Sequence, residues 1–183
     1  MLEFQTVQKW DELLWNDAEK IYEAAFPAHS RKKRRIIQRM FDKNMCYLHI
    51  AFLENEMVAM ALSGIVDNPQ ILVLDYIAVK NDFQNHGIGR KFVDYITEWC
   101  QEFENFNLIV VEVEAEKTNL NEKRIQFWLK CGFQLTDYIH SYIWVPEKYQ
   151  AMFYSIKPLD IPPEGQDLFT YITEFHKKSF RGS

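Results

Sequence analysis

Two closely spaced glycines lie in a polar loop between a predicted strand and a predicted helix. The loop reads Gln84-Asn85-His86-Gly87-Ile88-Gly89, and Arg90 follows it directly. Glycine lets backbone amides approach a ligand closely, and the first turn of a helix directs free N–H groups and a partial positive charge outward. The loop is therefore predicted to bind an anion such as a pyrophosphate, with Arg90, Lys91 or Lys80 as the neutralising cation.

The same loop argues against two common kinds of nucleotide site. It lacks the third glycine of the dinucleotide-binding GxGxxG motif, and no Gly-Lys-Ser/Thr follows it as in a P-loop. A dinucleotide or a nucleoside triphosphate is therefore disfavoured. Glycines before a helix are also common as purely structural residues, so the surrounding segments have to decide whether this loop binds a ligand.

Acidic side chains on two predicted strands are the candidates for proton transfer. Period-two alternation places Glu112 and Glu114 on one face of their strand, and it places Asp75 on the same face as Ile77 and Val79. An unpaired carboxylate is costly to bury among apolar residues. We therefore expect Glu112 or Glu114, and less strongly Asp75, to act as a base or to contact a substrate ammonium. The alternative is that this face is lined by solvent at the end of the strand.

The elements that would position these residues follow from the hydrophobic periodicity. The predicted order is strand, two helices, three strands, helix, strand, helix and two strands, which is a mixed α/β (α+β) fold. The helices are predicted at 11–26, 30–42, 88–99 and 121–131, with Ser30 as a cap of the second. Strands after the first are predicted at 46–53, 57–66, 71–79, 107–115, 133–138 and 149–156. Residues 166–178 are predicted to form either a docked tail helix or a frayed end.

Two segments in this order resemble the motifs of the GNAT (GCN5-related N-acetyltransferase) superfamily. The strand 74–79 with the loop 84–89 and the next helix is similar to the central Q/R-x-x-G-x-G/A motif, and Asn121 with 127–133 is similar to the N…FYxKxGF segment. The resemblance implies the GNAT fold, a mostly antiparallel sheet of six to seven strands that is splayed in the middle and flanked by about four helices. It implies an acetyltransferase domain over 1–159 and a C-terminal extension over 160–183.

The resemblance also implies a coenzyme A site. The pantetheine arm would insert between the splayed strands and pair with the backbone of the first, the Val79 N–H would hold the thioester oxygen, and Asn121 would help to hold the arm. The implied cofactor contacts are Ile77, Ala78, Val79, Gln84, Asn85, His86, Gly87, Ile88, Gly89, Arg90, Asn121 and Trp128.

The proton that the leaving thiolate needs has no obvious source in the sequence. Trp128 stands where the family usually has a tyrosine acid, and an indole N–H cannot replace a phenol in that role. Either Tyr138 or Tyr142 substitutes for it, or the thiolate leaves unassisted. The candidate catalytic residues are therefore Glu112, Glu114, Asp75 and Tyr142.

These residues predict an acetyl-CoA-dependent N-acetyltransferase. It would transfer an acetyl group directly to a primary amine of a small molecule or peptide, with acetyl-CoA as cosubstrate, no metal and no covalent enzyme intermediate. The alternative is an acyl-CoA-binding module or sensor of the same fold with little or no turnover.

Composition limits where the protein acts and what it binds. A net charge of -5 over 183 residues gives no electrostatic reason to expect nucleic acid or a membrane surface as a partner. The three cysteines form no CxxC pair, and neither a membrane-spanning run nor a signal peptide is evident. We expect a cytoplasmic protein, with a homodimer as an open alternative for its assembly. The basic run 31–35 is predicted to be a solvated helix face, although it could also contact an acidic acceptor or the cofactor's phosphates.

Overall fold

A computed structural model describes residues 1–67, 69–103 and 105–181. One sheet carries all of its described strands: β1 Leu2–Val7, β2 Cys46–Leu53, β3 Glu56–Asp67, β4 Gln70–Val79, β5 Leu108–Glu114, β6 Gln134–Leu135, β7 His140–Ser141 and β8 Lys148–Ser155. The helices are α1 Glu12–Ala25, α2 Arg34–Asp42, α3 Ile88–Phe103, α4 Asn119–Lys130 and α5 Gly165–Phe180. The predicted mixed α/β fold is confirmed, with one very short strand, β7, added at the edge of the sheet.

The sheet splits between its two central strands. Its order is β1-β2-β3-β4-β5-β8-β6, with β7 also on β8, and every neighbouring pair is antiparallel except β4 and β5. The parallel pairing of β4 with β5 extends only over 71–73 and 108–110. Beyond these residues the two strands continue without pairing to each other in the described ladder. We call the space between 74–79 of β4 and 111–114 of β5 the gap, and it corresponds to the splay that the resemblance implied.

A β-bulge at Asp75 changes the facing that alternation predicted. Leu62 of β3 pairs with Tyr76, but the next residue, Ser63, pairs with Leu74, so Asp75 is the extra residue. The Asp75 carboxylate consequently lies on the face covered by α1, α2 and α5, where it contacts Lys32. Ile77 and Val79 pack with the opposite core, so the prediction that Asp75 shares their face was wrong.

Two hydrophobic layers sandwich the sheet. The first lies under α1, α2 and α5, and the second lies under α3 and α4. Helix α5 belongs to the first layer, because its buried residues Leu168, Phe169, Ile172 and Phe175 recur on one face. The helix therefore covers one side of β3 and β8. The division of the chain at 159 and 160 stays a prediction.

Two local predictions differ from the structure. Helix α2 begins at Arg34 rather than Ser30, since 28–30 form a separate 3-10 turn in which Ser30 Oγ donates to Pro27 O. Ser30 therefore does not cap α2. The strand expected at 133–138 is only two residues long. Among the described residues, no helix has the length and apolar character to cross a membrane.

Candidate active site

Backbone groups of β4 line one wall of the gap. Lys80 donates its N–H to Val58 O at 2.8 Å, which makes these two residues a hydrogen-bonded pair of the antiparallel ladder. By alternation, the N–H and C=O of Ala78 point toward β3, and those of Ile77 and Val79 point into the gap. The Val79 carbonyl accepts from Gln84 Nε2 at 3.0 Å. The N–H groups of Ile77 and Val79 remain as donors that face the gap.

The glycine loop is held open at the end of β4. Gln84 also donates to Asn81 Oδ1 at 3.1 Å, which ties the loop to the preceding 3-10 turn. Asn85 and Gly87 have positive φ of 63° and 76°, and nothing lies within 4 Å of a Cβ built on Gly87. This backbone leaves the first turn of α3 accessible, with residues 84–87 and Arg90 exposed. His86 is also exposed, and Ile88 is buried in the core beneath the loop.

Helix α4 packs beside this loop and supplies the two remaining predicted cofactor residues. Asn121 is buried, and its Nδ2 donates to Glu116 O at 3.0 Å and to Glu114 Oε2 at 3.3 Å. Its side chain therefore fixes the first turn of α4. Trp128 is buried against Phe133, with ring centroids 4.8 Å apart in an edge-to-face arrangement. Both residues have packing roles whether or not a ligand is bound.

A network of charged and polar side chains lies where β4 and β5 separate. Lys32 Nζ contacts Asp75 Oδ2 at 2.6 Å and His176 Nδ1 at 3.2 Å. His176 Nε2 lies 3.5 Å from Glu112 Oε2, and the Tyr142 hydroxyl donates to the other oxygen of Glu112. Five elements or loops contribute one residue each. We call Lys32, Asp75, Glu112, Tyr142 and His176 the carboxylate cluster.

The cluster lies where the gap begins, next to the last paired rung of β4 and β5, and we call this position the mouth of the gap. Val73 and Val110 form the last paired rung between β4 and β5, and Asp75 and Glu112 each follow two residues later. The side chains of Lys32 and Asp75 are 3% and 4% exposed, whereas those of His176 and Glu112 are 17% and 22% exposed. The ion pair is therefore sealed from solvent, while the Glu112 end of the cluster is accessible.

The surroundings of Glu112 favour its ionised form. Desolvation raises the pKa of Glu112, but the hydrogen bonds from His176 and Tyr142, together with nearby positive charge that includes Lys32, outweigh it and lower the pKa below its ordinary value. Burial, and then the charge of Glu112, raise the pKa of Tyr142. Tyr142 therefore stays a neutral phenol, and its hydroxyl donates a hydrogen bond to Glu112. Tyr138, the other tyrosine considered, lies outside the cluster and contacts His140 at 3.4 Å.

The two glutamates of β5 have different surroundings. Glu114 is 38% exposed and contacts Asn121 and Arg124 of α4, whereas Glu112 faces α5. Of the predicted catalytic residues, the fold brings Asp75, Glu112 and Tyr142 together and leaves Glu114 at the far end of the strand. The cluster also contains two residues that sequence reasoning missed as site residues. Lys32 was assigned to a solvated basic run, and no local motif marks His176.

These groups suit an acyl-CoA thioester and an amine. The N–H groups of the gap can pair with an amide-bearing arm, and the exposed first turn of α3 with Gly87 can accept a pyrophosphate. When bound, such a thioester supplies an electrophilic acetyl carbon. The cluster contains a carboxylate and a phenol, two types of group that take part in general acid–base chemistry, at the mouth of the same gap.

Comparison with known proteins agrees with this arrangement. The family model for the Acetyltransferase (GNAT) family matches residues 8–133. A solved protein of Bacteroides thetaiotaomicron, described as a GNAT-family acetyltransferase, has a TM-score of 0.70 at 20% identity and covers 96% of this chain and 94% of its own. No curated protein matches the chain.

Two further solved structures carry more specific names. The ribosomal-protein-S18-alanine N-acetyltransferase of Escherichia coli has a TM-score of 0.63 at 18% identity, over 89% of this chain and 100% of its own. Naa50 of Arabidopsis thaliana, in complex with a bisubstrate analogue containing CoA, has a TM-score of 0.65 at 16% identity, over 84% and 98%. At such low identity these structures establish the fold alone. The family match over residues 8–133, which is most of the chain, establishes that this chain belongs to the GNAT acetyltransferase family.

Proposed function

We propose that this protein is an acetyl-CoA-dependent N-acetyltransferase that acts on a primary amine of a small molecule or peptide. One observation carries the proposal. Asp75 and Glu112 lie two residues beyond the last paired rung of β4 and β5, at the mouth of the gap. The glycine loop lies at the other end of the gap, after the end of β4. A thioester held along β4 would then have its acetyl group beside a carboxylate base.

The charge balance of the cluster favours a cationic acceptor. Lys32 is paired with Asp75, whereas Glu112 has no Lys or Arg partner among the described residues and contacts His176 and Tyr142 instead. An incoming ammonium would supply the missing positive charge. A partly buried carboxylate without a full partner is costly, which makes such binding favourable.

The proposed reaction is direct transfer. Glu112 accepts a proton from the acceptor ammonium, and the nitrogen lone pair attacks the thioester carbonyl carbon. A C–N bond forms, the C–S bond breaks, and the N–H of Val79 stabilises the developing oxyanion. The leaving thiolate takes a proton from Tyr142 or from solvent, and the second nitrogen proton passes to solvent. Proton exchange with solvent then returns Glu112 and Tyr142 to their starting states.

A groove beside the cluster supports an extended acceptor. It has a volume of about 470 Å3 and is lined by Tyr138, His140, Phe169 and the outer face of α5. His140 packs edge-to-face on Tyr142, with ring centroids 4.6 Å apart, so one wall of the groove adjoins the cluster. The Escherichia coli structure is named for N-acetylation of a ribosomal protein, and the Arabidopsis thaliana structure holds the bisubstrate analogue CoA-Ac-MVNAL, and both are compatible with an acceptor of this kind.

The first test separates an enzyme from a binding module. Acetyl-CoA should raise the melting temperature by mass action, and free coenzyme A thiol should appear only when an amine is added. The panel should contain peptides with free N-termini, amino acids and polyamines, with the acetylated product identified by mass spectrometry. A raised melting temperature without amine-dependent thiol release would overturn the proposal in favour of an acyl-CoA sensor.

The base is tested with Glu112→Gln. We expect kcat to fall by about 10²- to 10⁴-fold, with the affinity for acetyl-CoA unchanged, because a general base is lost. The acidic limb of the kcat/KM profile should disappear. Glu102→Gln, which removes an exposed carboxylate from α3, is the matched control. Glu114→Gln examines the second candidate, and a larger loss there than in Glu112→Gln would reassign the base.

A further inference from the structure

Helix α5 reaches the cluster because a glycine of β3 makes room for it. A Cβ built on Gly64 would lie 1.9 Å from Cε2 of Phe175, so only glycine permits this contact. Phe175 is buried in the layer beneath α5, and His176 is the next residue. The seating of Phe175 thereby brings the His176 imidazole to the mouth of the gap.

The two ring nitrogens of His176 face different partners. Lys32 can only donate, so His176 Nδ1 accepts from it at 3.2 Å and carries no proton in the neutral ring. The ring proton is then on Nε2, which points to Glu112 Oε2 at 3.5 Å. Asp75 Oδ1 lies 4.0 Å from Nδ1, and the Tyr142 ring packs edge-to-face on the imidazole. Among the described residues, these four, from β4, β5 and two loops, are the titratable groups that contact His176.

We propose that His176 is a positioning residue of the transferase reaction: it fixes the Glu112 carboxylate toward the gap and links it through Lys32 to Asp75. The inference rests on the proposed function, since it assigns a role in the same reaction. Under this proposal, α5 contributes His176 to the active site, although the helix lies outside the segment matched by the family model.

Physical reasons favour positioning over direct proton acceptance. Nδ1 is occupied by Lys32, and Nε2 carries the proton that points to Glu112, so neither nitrogen is free to accept a proton from the acceptor. Tyr142 holds the other oxygen of Glu112. With both oxygens engaged, the carboxylate has one orientation, which is what a base in a fixed geometry requires. Hydrogen bonding by His176 also lowers the pKa of Glu112.

The test replaces His176 and follows Glu112 directly. The variants are His176→Leu, which removes both hydrogen bonds, and His176→Gln, whose amide can restore one. Carbon-13 NMR of the Glu112 carboxyl group reports its titration without any turnover. We expect the midpoint to move to a pH about 1 unit higher in His176→Leu and by less in His176→Gln.

Kinetics should change in the same direction. The acidic limb of kcat/KM should move to higher pH, and kcat should fall about 10- to 100-fold with the KM for acetyl-CoA unchanged. His29→Gln, which replaces an exposed histidine of the 3-10 turn, is the control and should behave as the wild type. Melting temperatures identify any variant that fails to fold. If His176→Leu does not fold, His176→Gln is compared with the wild type instead.

The outcomes separate the two proposals. An unchanged Glu112 midpoint in a folded His176→Leu variant, with an active wild type, would overturn the positioning role alone. A shifted midpoint with no turnover of any amine by the wild type would overturn the proposed function. The contact between His176 and Glu112 would then have no role in catalysis. A kinetic loss without any movement of the acidic limb would reduce His176 to a packing residue and would also contradict the inference.

Discussion

Individual side chains in this protein gain their properties from partners that are distant in sequence. Glu112 would be a poor candidate for an ionised group by burial alone, because desolvation raises its pKa. His176, Tyr142 and Lys32 reverse that effect. The Lys32 ammonium similarly depends on Asp75 and is surrounded by the rings of Tyr76, Phe175 and Phe180, each with its centroid within 5.4 Å. Removing either member of this buried pair would leave an uncompensated charge.

A second histidine provides a prediction about stability. His49 is fully buried, its Nδ1 and Nε2 each lie 2.8 Å from a hydroxyl of Thr6 or Ser63, and desolvation lowers its pKa from 6.5 to about 3. The unfolded chain therefore binds a proton that the folded chain does not. The His49 contribution to stability is present above pH 6.5 and is lost as the pH falls toward 3. The expected loss of unfolding free energy from His49 is about 3 kcal/mol as the pH falls from about 6.5 to about 4.5.

Urea unfolding at a series of pH values measures this contribution. His49→Gln should have a shallower loss of unfolding free energy over this range, although it is less stable at neutral pH. Burial also lowers the pKa of His140, so both the wild type and His49→Gln keep a second contribution of the same sign. The difference between the two proteins isolates His49. Parallel pH curves for both would contradict the prediction.

At the scale of elements, the loop before α3 depends on backbone geometry rather than on side chains. Gly87 has a φ of 76°, and a Cβ there would project into open space above the first turn of α3. A side chain at this position adds backbone strain and also occupies the space through which a pyrophosphate would approach. Asparagine tolerates positive φ better than alanine, so the two substitutions separate strain from obstruction.

We therefore expect Gly87→Ala and Gly87→Asn both to weaken coenzyme A binding, by about tenfold in Kd, when measured by isothermal titration calorimetry. The melting temperature of free Gly87→Asn should stay closer to that of the wild type than the melting temperature of Gly87→Ala, because alanine is more strained at positive φ. If Asn binds as tightly as Gly while Ala does not, strain alone explains the loop, and the proposed close approach of the ligand fails.

For the whole molecule, α5 joins the tail of the chain to both the core and the site. Gly64→Ala would drive a methyl group into the Phe175 ring, and we expect overpacking to cost about 1–3 kcal/mol of unfolding free energy. Because His176 follows Phe175, the same variant should also lower kcat. Equilibrium denaturation and steady-state kinetics measure the two effects.

Two further variants test whether contact with the Phe175 ring causes the loss of stability in Gly64→Ala. Gly89→Ala places its Cβ at an ordinary 3.4 Å from Phe127, so it should cost little stability. Phe175→Leu in the Gly64→Ala background should recover part of the lost stability, giving a non-additive double-mutant cycle. Strict additivity would mean that the methyl group is accommodated without contact with α5.

The sequence by itself determined the order of the main elements, the glycine loop at the start of α3 and the place of Glu112 on a central strand. Hydrophobic periodicity and helix-terminus chemistry act over a few residues, so they can be recognised locally. The short parallel pairing that creates the gap was available only through the resemblance to the family. The expected facing of Asp75 was wrong because a bulge depends on how two strands align and leaves no local signal.

Only the tertiary structure decided which residues meet. Lys32 and His176 are 144 positions apart, and His176 and Glu112 are 64 apart, yet their side chains are in contact. A basic run on a helix is usually solvated, but the start of α2 at Arg34 leaves Lys32 in a loop that folds over β4. The docking of Phe175 against Gly64 then completes the cluster. Such contacts depend on the packing of whole elements, which no sequence window contains.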